Sequence, residues 1–341
     1  MSQPIQIKMK NIITIFCLFA GFQSFAGNHS NAFSASRLIK KDFSIAAIPG
    51  DTNKVDANKI KQGFWIERTG AYDWEGNYMN GKREGTWVAY PVGGTMVSYV
   101  DNYRGGKKNG VSIAVDRAGY IFRQENYVED SLDGMRRTYY TGGRVKTEEV
   151  FKNGKLDGNR KIYNNNNKLQ EEGNYKDGVR DGNAKWYYSD GKLNTESNYK
   201  EGSLEGIMTT YYPNGNKSSE VLYKHNEMEG NYVEYWEGGK IKIKGTYIHS
   251  LEEGIWTTTY ESGKVFETGK YTKGKREGAW NQASEDGKTK TKLKYADGKI
   301  ISGTPMEIKP LPAPAPQPEQ EKSGNVVPNG QPSGAQQPKP H

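Results

Sequence analysis

Cysteine is almost absent. Cys17 is the single one in 341 residues, which excludes disulfides and thiol chemistry from everything that follows it. Histidine is scarce too: His29, His225, His249 and His341 are the full set. His225 and His249 fall at the same phase of neighbouring repeats and are expected roughly 9–10 Å apart, too far to share one ion. They read as exposed turn residues, and no metal or cofactor is expected. Proline is rare until the end of the chain, where residues 304–341 hold 10 of the 14. Apolar residues make up only 34% and the mean hydropathy is −0.90, too polar for a thick globular core. Charge of one sign is missing as well. Lys and Arg number 48 against 40 Asp and Glu and are interleaved with them, so there is no basic stripe of the kind that binds nucleic acid. No glycine-rich loop opens a helix, and no Gly-x-Ser-x-Gly elbow occurs.

Disorder is the usual consequence of such polarity, but 23 Tyr, 7 Trp and 10 Phe argue against it. The aromatics are periodic. Glycines recur every 24 residues at Gly134, Gly158, Gly182, Gly206, Gly230, Gly254 and Gly278, and Gly85 and Gly110 extend the grid upstream. An acid or amide precedes each, from Glu84 and Asn109 to Glu277. Aromatics run in phase through Tyr78, Tyr127, Phe151, Tyr175, Tyr199 and onward to Tyr295. Self-similarity on this scale means an array of stacked small units rather than a globular domain.

Within a unit the pattern is strand, turn, strand, turn. Asp-Gly, Asn-Gly and Gly-Gly pairs supply the positive φ that short hairpins need. One turn lies three residues after each column aromatic, at Gly154, Gly178 and Gly202 among others, and another at Gly191 and its equivalents. The grid glycine itself is placed at a turn, so that Gly182 precedes a strand over residues 183–188. An apolar column through Met96, Ile121, Val145, Leu169, Leu193, Ile241 and Val265 is expected to form a seam along one face. Two strands per unit advance the array by roughly 9–10 Å. The fold class expected is therefore all-β: an elongated, single-layer antiparallel β-hairpin array of about ten units.

The ends differ from the middle. Lys8 and Lys10 precede the apolar run Ile12 to Ala20, which is about half a membrane span. Gln23-Ser24-Phe25-Ala26 follows with a small-x-small ending, so residues 1–26 read as a signal peptide cleaved after Ala26. Residues 27–59 read as a polar leader or spacer, 60–303 as the array and 304–341 as a Pro-rich disordered tail.

The run Tyr78 to Trp87, with Phe151 to Gly158 and Tyr271 to Gly278, resembles the MORN repeat. The second half of a unit, Tyr187 to Lys192, looks like the bacterial MORN variant labelled a YwqK-type antitoxin. The resemblance implies an elongated hairpin sheet acting as a scaffold or protein-binding platform, and it supplies no catalytic residue. Glu148, Glu172, Glu196 and Glu220 form an acidic column, and Arg144, Lys168, Lys192, Lys240, Lys264 and Lys288 a basic one. A flat sheet gives such acids no cleft in which to act as a catalytic pair, so both columns read as solvated strand charges and the protein as a non-enzyme. Aromatic rows are the candidate binding surface: Trp87, Trp256 and Trp280 in one phase, Tyr163, Tyr187, Tyr211 and Tyr235 in another. Packing across strands is the plainer role for such rings. The functional alternative is a platform for a protein or a glycan. The leading expectation is an exported scaffold of a bacterial cell envelope, periplasmic, outer-membrane-associated or extracellular, with protein partners. A glycan- or peptidoglycan-binding module is the alternative, and an antitoxin-type neutraliser of a toxic protein a third. Membrane association is left open.

Overall fold

A computed structural model describes residues 52–306; the expected signal peptide, most of the leader and the tail from residue 307 lie outside the described residues. The described chain forms an open antiparallel sheet of 25 strands in hairpin order. It contains no helix among the described residues. Each strand pairs with its neighbours in sequence, as Val179–Tyr187 does with Leu169–Lys176 before it and Leu193–Lys200 after it. The single-layer hairpin array anticipated from the repeat is therefore present. The first strand, Lys54–Val55, lies within the segment read as a spacer and pairs with Lys61 and Gln62.

Two kinds of turn join the strands. Those after the column aromatics are two-residue loops with both residues at positive φ: Asp177 (50°) with Gly178 (90°), Glu201 (50°) with Gly202 (83°), His225 (51°) with Asn226 (69°). These are type I′ turns, whose twist matches that of the flanking strands. At the opposite end of the hairpins, Tyr188 to Gly191 closes with a bond from Gly191 N to the Tyr188 carbonyl at 2.8 Å. Gly191 takes φ 90° there, as the turn reading required.

The grid glycines are not in turns, and here the sequence reading is corrected. Gly182 sits inside the strand Val179–Tyr187 with φ 98°. The register on one side jumps from Tyr175↔Arg180 to Gly173↔Ala184, so Asn174 faces Asp181, Gly182 and Asn183 together. The grid therefore marks a β-bulge in every unit, where positive φ re-aims the strand. Side chains fill the notch. A Cβ on Gly158 would stand 2.9 Å from Val150 Cβ, and Leu222 Cδ2 occupies the same position beside Gly230. Where the notch residue is Asn it also donates to the bulged strand, as Asn102 Nδ2 does to the Val111 carbonyl at 2.7 Å and Asn126 Nδ2 to the Met135 carbonyl at 2.9 Å.

One face of the sheet is packed and the other open, because strand side chains alternate. In Leu193–Lys200, Thr195, Ser197 and Tyr199 are buried while Asn198 and Lys200 are exposed. The anticipated apolar seam does not form the core. Ile241 and Val265 are exposed, since their column borders the turns rather than the middle of the packed face. The buried clusters are instead Ala184, Tyr199, Leu204, Met208 and Val221, and, further on, Trp256, Trp280, Leu293 and Tyr295.

Candidate functional site

Trp87, Trp256 and Trp280, proposed as a binding row, are 0%, 8% and 2% exposed and present no platform. The reason is a glycine on the facing strand. A Cβ added at Gly76, Gly245 or Gly269 would stand only 2.1–2.6 Å from indole atoms of Trp87, Trp256 or Trp280, so each indole packs directly on bare backbone. Column tyrosines close over the edges: Tyr78 and Tyr103 flank Trp87, and Tyr271 and Tyr295 flank Trp280. Arginines roof the rings. The Arg83 and Arg276 guanidinium carbons sit 4.2 Å above Trp87 and Trp280, and the same guanidinium groups pair with Glu67 and Glu267 at 2.7 Å. The carboxylate pairing and the cation–π contact together hold each arginine as a lid on its ring.

The second row, Tyr163, Tyr187, Tyr211 and Tyr235, is half-buried along the margin of the open face. Its hydroxyls donate to the acidic column on the adjacent preceding strand: Tyr163 to Glu148 at 3.1 Å, Tyr187 to Glu172 at 2.7 Å, Tyr211 to Glu196 at 2.5 Å and Tyr235 to Glu220 at 2.6 Å. Those glutamates are thus bonded acceptors as well as strand charges. Burial, reinforced by the adjoining carboxylate, pushes Tyr211 and Tyr235 up to about 12 and Tyr163 and Tyr187 higher still. The hydroxyls stay protonated, which suits a structural hydrogen bond and not a proton transfer near neutrality.

Both ends of the hairpins lock one unit to the next. Where an acid precedes the grid glycine, it accepts from the first residue of the following type I′ turn. Glu205 Oε2 accepts from His225 N at 3.0 Å, Glu229 Oε2 from His249 N at 2.9 Å and Glu253 Oε2 from Lys273 N at 2.8 Å. The second turn residue donates to the preceding hairpin, as Gly202 N does to the Arg180 carbonyl at 2.8 Å. At the far end the basic column reaches across: Lys192 Nζ to the Pro213 carbonyl at 2.7 Å and Lys264 Nζ to that of Glu285 at 2.8 Å. A further aromatic series does likewise, with Tyr188, Tyr212 and Tyr260 donating to the carbonyls of Tyr211, Tyr235 and Ala283. His225 and His249 are exposed turn residues, as expected. His249 Nδ1 meets Glu227 Oε2 at 2.9 Å, and that hydrogen bond holds its imidazole above the usual histidine range. Among the described residues no group of His, Cys, Asp and Glu has the arrangement of a metal site.

What remains outward is the open face. Through its centre runs a cross-strand row, Arg137, Glu148, Lys161, Glu172, Lys185 and Glu196, each directly opposite the next and alternating in sign. Beside it lie Asn159 opposite Asn174, and Asn183 opposite Asn198. Sequence reading identified the acidic column but not its partners. The cross-strand register could be found only once the bulge, which offsets the strands, was known.

The model of the MORN repeat variant matches residues 156–177, 180–201, 204–225 and 228–249. Every matched segment begins just past one type I′ turn and ends inside the next, so the family's unit and the structural unit coincide. No curated protein matches the chain. Residues 156–249 are four consecutive MORN repeat variants, and the hairpins on either side of them repeat the same turns and in-strand bulges.

Proposed function

We propose that this protein is a non-catalytic scaffold of a bacterial cell envelope, exported by its N-terminal segment, which recruits protein partners on the open face of its repeat array. MORN repeats support a scaffold or binding role at the coarser level. One observation supports the partner surface: both turn edges bind one unit to the next, and the open face displays a long, ordered set of side chains. Such a surface suits shape and charge complementarity along a protein. It suits a sugar less, because the indoles that would stack on a pyranose ring are turned inward. Affinity purification of a tagged copy from envelope fractions, followed by mass spectrometry, tests this. A defined protein partner released by charge reversal in the Glu148–Glu196 row is expected. Sedimentation with cell wall and no enriched protein would contradict it.

A further inference from the structure

The alternation of charge across the open face breaks at one strand. Lys185, Glu196, Thr209 and Glu220 lie directly opposite one another on neighbouring strands. Arg137, Lys161 and Lys185 hold the basic position in three consecutive units, and Thr209 stands 24 residues after Lys185. A basic side chain is therefore missing between two acids. The strand beyond supplies none either, since Val233 is opposite Glu220. The short side chain leaves a depression of about 290 Å³, with Thr209, Glu196, Glu220, Lys185 and Ile207 in its lining.

The lining suits one kind of guest. Thr209 is only 6% exposed, and among the described residues its hydroxyl has no hydrogen-bond partner. At that depth it is an unused acceptor. The hydroxyl of Thr210, on the other face, bonds to both Ser218 and Ser219. Glu196 accepts from Tyr211 through Oε1, and its Oε2 has no partner among the described residues, Lys185 included. Glu220 is served by Lys217 at 2.5 Å and Tyr235 at 2.6 Å, neither of them in the lining. The unmet charge is therefore that of Glu196. Beside it Ile207, 58% exposed, pairs across the strands with Leu222, which is exposed too. A basic side chain can donate to Glu196 Oε2 and Thr209 Oγ1 together while its alkyl stem covers these two residues. No aromatic ring lines the depression for a sugar to stack on.

We propose that the depression over Thr209 takes a lysine or arginine side chain of a partner protein, which supplies the cation that the row lacks there. The assignment rests on the scaffold reading above and names an anchor point and a partner chemistry for it. Charge complementarity of this kind fixes the register of a docked partner and excludes others.

The test uses the full chain with isotope-labelled isoleucine, leucine and threonine methyl groups. Three short peptides differ only at the central position, which is lysine, ε-acetyllysine or norleucine. The lysine peptide should shift the methyl resonances of Thr209, Ile207 and Leu222 and bind roughly fivefold or more tighter than either neutral peptide, with the preference shrinking as salt rises. Thr209→Lys should put the protein's own cation in the depression and abolish that preference. Lysine already stands at the equivalent positions 161 and 185, so the variant should fold, and an unchanged β-sheet spectrum checks that it has. Glu196→Gln should bring the lysine peptide down to the level of norleucine. Equal binding of the lysine and norleucine peptides would overturn the inference, and so would a lysine preference that survives Thr209→Lys. A soluble cell-wall fragment that shifts the same methyls when the lysine peptide does not would assign the depression to a sugar instead. An envelope partner captured equally by the native chain and by Thr209→Lys would defeat this inference and leave the scaffold standing. Selective binding of the lysine peptide with no envelope partner would do the reverse.

Discussion

Glycine does two different jobs in this chain, and single substitutions separate them. Gly254 takes φ 72° with nothing near its absent side chain, whereas Gly245 lies under the indole of Trp256. Gly254→Ala therefore adds only left-handed backbone strain, about 1 kcal/mol. Gly245→Ala must displace a buried ring and should cost about 3 kcal/mol, the upper part of the overpacking range. Urea midpoints should rank them in that order, and Trp fluorescence should change in Gly245→Ala alone. Equal midpoints would mean that the indole does not rest on this glycine. Gly245 shares a phase with Gly173 and Gly269, two residues before the column tyrosines, but no turn signal stands beside it, and its role shows only once the indole of the facing strand is placed. The grid glycines were visible, but positive φ in a bulge and positive φ in a turn leave the same residue in the sequence.

At the scale of strands and turns, the type I′ pairs were legible because Asn-Gly and Asp-Gly have few other uses between β segments. The acid that binds each turn's backbone N–H was not. Its partner lies 20 residues away, from Glu205 to His225, and only the stacked geometry brings them together. The same holds for the tyrosine–glutamate row, which carries a pH dependence. Tyr211 and Tyr235 hold their protons up to about 12 in the folded array, chiefly through burial with Glu196 and Glu220 beside them. In the unfolded chain tyrosine ionises near 10. The folded state thus binds more protons between these values, so the row's contribution is fully present below about pH 10 and is lost as pH rises toward 12. Urea midpoints should hold between neutral pH and about 10 and fall within that window, with tyrosinate absorbance rising in step with unfolding. Tyrosinate forming near pH 10 in a chain that keeps its β-sheet circular dichroism would show that these hydroxyls are free.

For the molecule as a whole, repeat period and aromatic content were enough to set the architecture, since each unit contacts only its neighbours. The candidate surface was less legible. The Trp row is buried on glycine, and the open face is defined by a register that the bulges shift. Export belongs to this scale too. N-terminal sequencing of the protein from its native host should begin at Gly27, and an intact Met1 would remove the envelope from the account.

The proposed function resides in the continuous face of a stacked array and in no single unit. Deleting residues 183–206 joins Gly182, one bulge glycine, to Ile207, the residue that follows another, and should leave a folded, shorter sheet. It also removes roughly 9–10 Å of the face, so contacts on either side of the cut no longer match a partner that spans both. Titration of the captured envelope partner against intact and shortened proteins is the most direct measurement. Clearly weaker binding to the shortened protein, with its β-sheet spectrum retained, is the expected result. Unchanged partner affinity, together with tight binding of soluble cell-wall fragments to both proteins, would contradict it.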